Sequence, residues 1–112
     1  MTDKIYTIEE LREIITPIAM QHNVQRVYLF GSYARGEATG DSDVDLRVDG
    51  ENLRTMVGWG NLYADLERKL RKELDLLVTD ELREKLQDPL VKIFVKHMKK
   101  DEVLLYERIG IV

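Results

Sequence analysis

LFGSYARGEATGDSDVDLRV, residues 29–48, is the stretch that decides how this chain reads. An apolar β-rich run from Val24 to Phe30 stops at Gly31. Glycine has no Cβ, so backbone there can approach a phosphate closely. Ser32 is placed to cap a short turn over Tyr33, Ala34 and Arg35, which would set a hydroxyl and exposed amides as an anion site. Taken alone, the Gly-Ser pair reads more readily as an ordinary strand-to-turn cap. Ten residues later comes Asp43-Val44-Asp45. Over 41–49 the chain alternates, with Val44, Leu46 and Val48 on one strand face and Asp43, Asp45, Arg47 and Asp49 on the other. Two carboxylates so placed repel each other and raise each other's pKa unless a cation compensates. Magnesium suits them, since it takes carboxylate, phosphate and water oxygens. A lone Asp-x-Asp is otherwise a solvated edge strand.

Asp75 supplies a third acid inside the apolar run Leu74–Val78. A carboxylate in so apolar a strand is solvated most simply at the same site, from a neighbouring strand. Three carboxylates and a nucleotide's phosphates can hold two Mg2+ ions about 3.5–4 Å apart. Asp75 can also accept a hydroxyl proton. Gly-Ser, the gap of ten, paired aspartates and a later strand aspartate are far more specific together than singly.

Outward from this stretch, Thr7-Ile8-Glu9-Glu10 is a capping box opening a helix. Ile8, Leu11, Ile14, Ile15 and Ile18 recur at helical spacing, with Pro17 expected to kink or end the run. A helix is expected from about Glu51 to Lys72, with Leu53, Met56, Val57, Tyr63, Leu66 and Leu70 inward. Gly58 and Gly60 weaken it by about 1 kcal/mol each. A strand over Leu74–Val78, a brief helix over Glu81–Leu86, a helix opened by Pro89 and a last strand over Val103–Tyr106 complete the order α, β, β, α, β, α, α, β. The fold class is α/β (α+β), a mixed sheet packed by helices, in a single domain over residues 1–112.

The chain has 112 residues, 44% of them hydrophobic, and a net charge of −4. Interspersed charge argues against sequence-independent duplex DNA binding, which needs a basic face. There is no cysteine, hence no disulfide and no thiolate chemistry. No signal core and no membrane span are visible, so a cytoplasmic protein is expected. Arg35 either stabilises charge at the phosphate turn or is solvated. Arg47 either contacts nucleotide or pairs with an acid. Glu37, Asp41 and Ser42 are expected in loop and turn roles, Ser42 also beside the first aspartate. His22 and His97 are expected at the surface. Trp59 and Leu62 are core or a partner-facing patch, and the tail Ile109–Val112 frays or docks.

On residues 31–45 and on LDLLV at 74–78, the sequence resembles the nucleotidyltransferases related to DNA polymerase β, in particular the minimal nucleotidyltransferase (MNT) proteins. The resemblance covers essentially the whole chain. It implies the polymerase β-like fold, with Gly31 and Ser32 toward the nucleotide phosphates, where Arg35 would join them if it is not solvated, and Asp43, Asp45 and Asp75 as magnesium ligands, Asp75 also as base. It implies transfer of AMP from ATP to a hydroxyl, with release of pyrophosphate. In the minimal branch the acceptor is a tyrosine of a HEPN-domain ribonuclease toxin, so the chain would act as an antitoxin within a hetero-oligomer. The alternative is a non-catalytic antitoxin or nucleotide-binding module that neutralises its partner by complex formation. A small-molecule acceptor is disfavoured because the chain lacks the length for the helical domain of the antibiotic-modifying relatives.

Overall fold

The computed structural model describes residues 1–109. Helix α1 (Ile8–Gln21) opens on the expected capping box. Thr7 Oγ1 accepts from the Glu10 amide at 3.1 Å, and Glu10 accepts from the Thr7 amide at 3.0 Å. The helix does not end at Pro17. Strand β1 (Arg26–Phe30) runs into a five-residue helix α2 (Gly31–Arg35), and β2 (Val44–Asp49) follows. A 3-10 turn (Glu51–Arg54) precedes α3 (Met56–Leu70). Then come β3 (Leu74–Val78), α4 (Thr79–Glu84), α5 (Pro89–Asp101) and β4 (Val103–Glu107). The four strands form one mixed sheet in the order β3-β2-β1-β4. The β1 pairings are antiparallel and the β2–β3 pairing is parallel.

One face of the sheet is the core. Val27, Leu29, Val44, Leu46, Val48, Leu74, Leu76 and Val78 pack there against Leu11, Ile15 and Ile18 of α1 and Leu62, Leu66 and Leu70 of α3. Each fully buried side chain of this kind contributes about 1.5–3 kcal/mol of transfer free energy. The two edge strands are covered by side-chain donors. Arg12 donates to the Leu104 and Leu105 carbonyls of β4, and the Trp59 indole donates to the Leu76 carbonyl of β3 at 3.1 Å. Such contacts blunt edges that would otherwise template pairing with another chain.

Four expectations need correction. The helix expected over 51–72 is two elements, because Thr55 breaks the run and caps α3 by accepting from the Gly58 amide at 3.0 Å. Gly58 is needed there, since a Cβ would run into the Asn52 carbonyl. Met56 and Val57 are consequently 89% and 72% exposed, while Leu62 is buried and Trp59 packs against the core, stacked on Tyr63. Lys72 lies beyond the helix, which stops at Arg71 in the left-handed conformation. The helix expected over 81–86 begins at Thr79, directly after β3. His22 is half-buried and bonded to Asp65 of α3 at 2.7 Å, whereas His97 is exposed as expected. Ile109 is exposed, and the remainder of the apolar tail lies outside the described residues.

Candidate active site

The second face of the sheet carries the acids. Side chains alternate along a strand, so burial of Val44, Leu46 and Val48 forces Asp45, Arg47 and Asp49 to the opposite side. The same alternation puts Tyr28 and Phe30 on that side of β1, and Asp75 and Leu77 on that side of β3. Register then makes the site. Asp45 stands directly opposite Asp75 in the parallel β2–β3 pair and directly opposite Phe30 in the antiparallel β1–β2 pair. Asp43 lies just before β2, at its open end.

Gly31 is built around Asp45. Its φ is +72°, in the left-handed region, and a Cβ on it would fall onto Asp45 Oδ2, with Cγ at 2.9 Å. The glycine therefore meets two demands, a left-handed turn out of β1 and close approach of a carboxylate. Ser32 departs from expectation. Helix α2 starts at Gly31 with Phe30 as its cap residue and no side-chain cap bond, so Ser32 lies within the first turn and does not cap it. Arg35 ends α2, pairs with Glu37 at 3.2 Å and lies 3.7 Å from Asp101 of α5. Ser42 Oγ accepts from the Thr39 amide at 2.8 Å, a turn contact within the loop that leads to Asp43.

The electrostatics follow from this placement. Burial, then the charges of Asp75 and Asp43, push Asp45 up to about 6, and Arg35 opposes the shift. Burial and then Asp43 raise Asp75. Asp45 thus feels the charge of both other acids, and Asp75 that of Asp43. Among the described residues, no three His, Cys, Asp or Glu side chains are gathered closely enough to enclose a metal by themselves. Magnesium does not require such a cage, since it keeps waters and takes one or two carboxylates together with substrate phosphates. An all-oxygen donor set in which burial and neighbouring carboxylates raise Asp45 and Asp75 fits that ion.

Two further residues hold the surroundings of the acids, and the sequence offered a reading only for Arg47. Arg47 is buried. It makes a bidentate pair with Glu102, Nη2 donating to Oε1 at 3.0 Å and Nε to Oε2 at 3.2 Å, donates to Thr79 Oγ1 at 2.7 Å and stacks over Tyr28 at 4.0 Å. Of its two readings, pairing with an acid is the one the structure shows, and it fastens α4 and the end of α5 to the sheet. Lys72 is 3% exposed and donates to the Gly40 carbonyl at 2.6 Å, holding the loop before Asp43. No periodicity marks either partner, because each pair spans more than thirty residues of chain.

A model of the family described as polymerase beta, nucleotidyltransferase, matches residues 13–108. The chain belongs to that family. This nucleotidyltransferase is 34% identical over 84 residues to a Methanocaldococcus jannaschii protein provisionally named a protein adenylyltransferase, covering 75% of this chain and 90% of the relative. It is 36% identical over 81 residues to the protein adenylyltransferase MntA of Thermococcus cleftensis, covering 69% of this chain and 82% of the relative. Its fold is shared with a chain of the complex between the tri-AMPylated HEPN toxin of Shewanella oneidensis and its MNT antitoxin. There the TM-score is 0.62 at 16% identity, covering 91% of this chain and 74% of that one. The nucleotidyltransferase acts on a nucleotide, and its mixed sheet flanked by helices is the polymerase β-like architecture. Among its described residues no helix is long and apolar enough to cross a membrane.

Proposed function

We propose that the protein transfers AMP from ATP, with Mg2+, to a hydroxyl of a partner protein, a tyrosine of a HEPN-domain ribonuclease, and so acts as an antitoxin. The observation that carries this reading is the strand register that sets Asp45 beside Asp75, with Gly31 left bare to accommodate Asp45. The names of the relatives support the AMP and the protein acceptor. The company kept by the fold neighbour supports the HEPN partner.

In this reading the amides at the start of α2 and the Arg35 guanidinium receive the phosphate tail, and Gly31 lets it come close. Asp43, Asp45 and Asp75 would hold Mg2+, which supplies charge neutralisation at the reacting phosphate and the leaving pyrophosphate. Asp75, itself exposed on edge strand β3, takes the proton from the acceptor hydroxyl. The oxygen then bonds to the α-phosphorus as the bond to pyrophosphate breaks. A carboxyl raised by burial and a neighbouring charge is a better base than an ordinary one.

The test is label transfer from α-labelled ATP, with magnesium, to a co-expressed HEPN-domain protein. We expect label on a partner tyrosine that disappears with Asp43→Ala/Asp45→Ala. Labelling that survives the double substitution overturns the site. A tight complex with no label overturns the catalytic reading in favour of neutralisation by binding.

A further inference from the structure

Beyond the acids, the same sheet face carries an aromatic path that the phosphate chemistry does not use. Phe30 is the cross-strand partner of Asp45 and lies on its side of the sheet. The Phe30 ring meets Phe94 of α5 edge to face, with centroids 6.1 Å apart. Phe94 is thus separated from Asp45 by one intervening side chain, that of Phe30. Between these rings and the phosphate turn lies an open cavity of about 400 Å³, lined by Phe30, Gly31, Arg35, Phe94, His97 and Asp101 among others. That volume lies within the range of small-ligand pockets, and the mixture of apolar wall and few polar groups is typical of them.

The faces of α5 explain why these side chains are available. Val91, Val95 and Met98 turn toward the sheet, where Met98 is buried and the other two are partly so. Phe94 and His97 fall on another stripe, ending at Asp101, whose carboxylate reaches Arg35 at 3.7 Å. That stripe therefore borders the phosphate turn. Phe94 is 42% exposed although its helix is firmly held by Arg47 and Glu102 at the far end. Leaving a large aromatic ring half in water costs hydrophobic free energy that a flat ligand would recover.

We infer that Phe94, backed by Phe30 and flanked by His97, is the stacking platform for the base of the nucleotide substrate. The inference rests on the phosphate-site reading and adds where the nucleoside goes. Stacking on an aromatic side chain is tolerant of which base is bound, so the platform contributes affinity and orientation for the nucleoside and little choice among bases. Asp101, 3.7 Å from Arg35, then lies between the base and the phosphates that Arg35 receives.

The experiment compares binding of two ligands by calorimetry in magnesium, without any partner protein: ATP and inorganic tripolyphosphate. The proteins are wild type, Phe94→Ala and Phe94→Tyr. The expected result is that Phe94→Ala weakens ATP about tenfold and Phe94→Tyr restores it, as for other base–aromatic stacks. Tripolyphosphate, which has no base, should bind all three proteins alike. Equal weakening of both ligands by Phe94→Ala overturns the inference, because the effect is then on the phosphate turn or on folding. Unchanged ATP affinity also overturns it and leaves Phe94 for contact with a partner protein. Wild-type protein that binds tripolyphosphate as tightly as ATP overturns the base platform alone. Wild-type protein that binds neither overturns the phosphate-site reading and this inference with it.

Discussion

Replacing Asp45 by Asn should make the metal-free protein more stable at neutral pH. Asp45 is raised from its ordinary 3.8 to about 6, chiefly by burial and then by Asp75 and Asp43. That difference corresponds to about 3 kcal/mol against the ionised form in the folded state. Water reaches the partly buried carboxyl, which reduces the figure to about 1–2 kcal/mol. The sign follows from proton linkage. Between pH 4 and 6 the folded protein holds a proton that the unfolded chain has lost, so stability falls as pH rises through that window. Asparagine is neutral throughout and has a similar shape. Urea unfolding in EDTA should therefore show the two proteins nearly equal at pH 4, and Asp45→Asn ahead by about 1–2 kcal/mol at pH 7.5, or about 5–10 °C in Tm. Asp75 stays raised by burial and by Asp43 in both proteins, so a shallower slope remains in the variant. Adding magnesium should stabilise wild type more than the variant, because only the folded wild type keeps the full carboxylate set. A variant less stable than wild type at pH 7.5 in EDTA, or an advantage that persists undiminished at pH 4, would refute the reasoning.

Three further outcomes are expected. Gly31→Ala should lose about 2–4 kcal/mol in urea unfolding, since alanine must take a left-handed φ and displace Asp45; equal stability would mean that the close approach is not real. Arg47→Met should lose about 3–5 kcal/mol because it strands Glu102 in a partly buried position. Arg47→Met/Glu102→Leu should recover much of that, and a double-mutant cycle with no coupling would deny the clamp. Asp75→Asn should lower the transfer rate by about 10²-fold or more and remove the acidic limb of its pH profile, while ATP binding stays measurable; an unchanged limb would assign the proton to another group.

The elements legible in the sequence are those whose signal is local. The Thr7 capping box, the alternation over 44–49, Leu74–Val78 and Pro89 as a helix opener each involve neighbours within a few residues, and each stands where it was read. The 51–72 segment misleads because apolar Met56 and Val57 fit a helical stripe, while Thr55 and the Asn52 carbonyl impose a break that hydrophobic spacing does not encode. Ser32 misleads for a related reason. A Gly-Ser turn has the composition of a cap, but the helix begins one residue earlier, under the demand of Asp45 on Gly31.

By itself the sequence determined the fold class and the acids that stand on the strands, since a period of two sorts side chains to faces without knowledge of what lies opposite. It also carried the family pattern of Gly-Ser and Asp-x-Asp. Only the tertiary structure decided that Asp45 meets Asp75 and Phe30, because strand order and register are settled by packing across the whole sheet. Arg47 with Glu102, Lys72 with Gly40 and Phe30 with Phe94 belong to the same class. Their partners lie far apart along the chain, and no local rule of propensity or spacing brings them together.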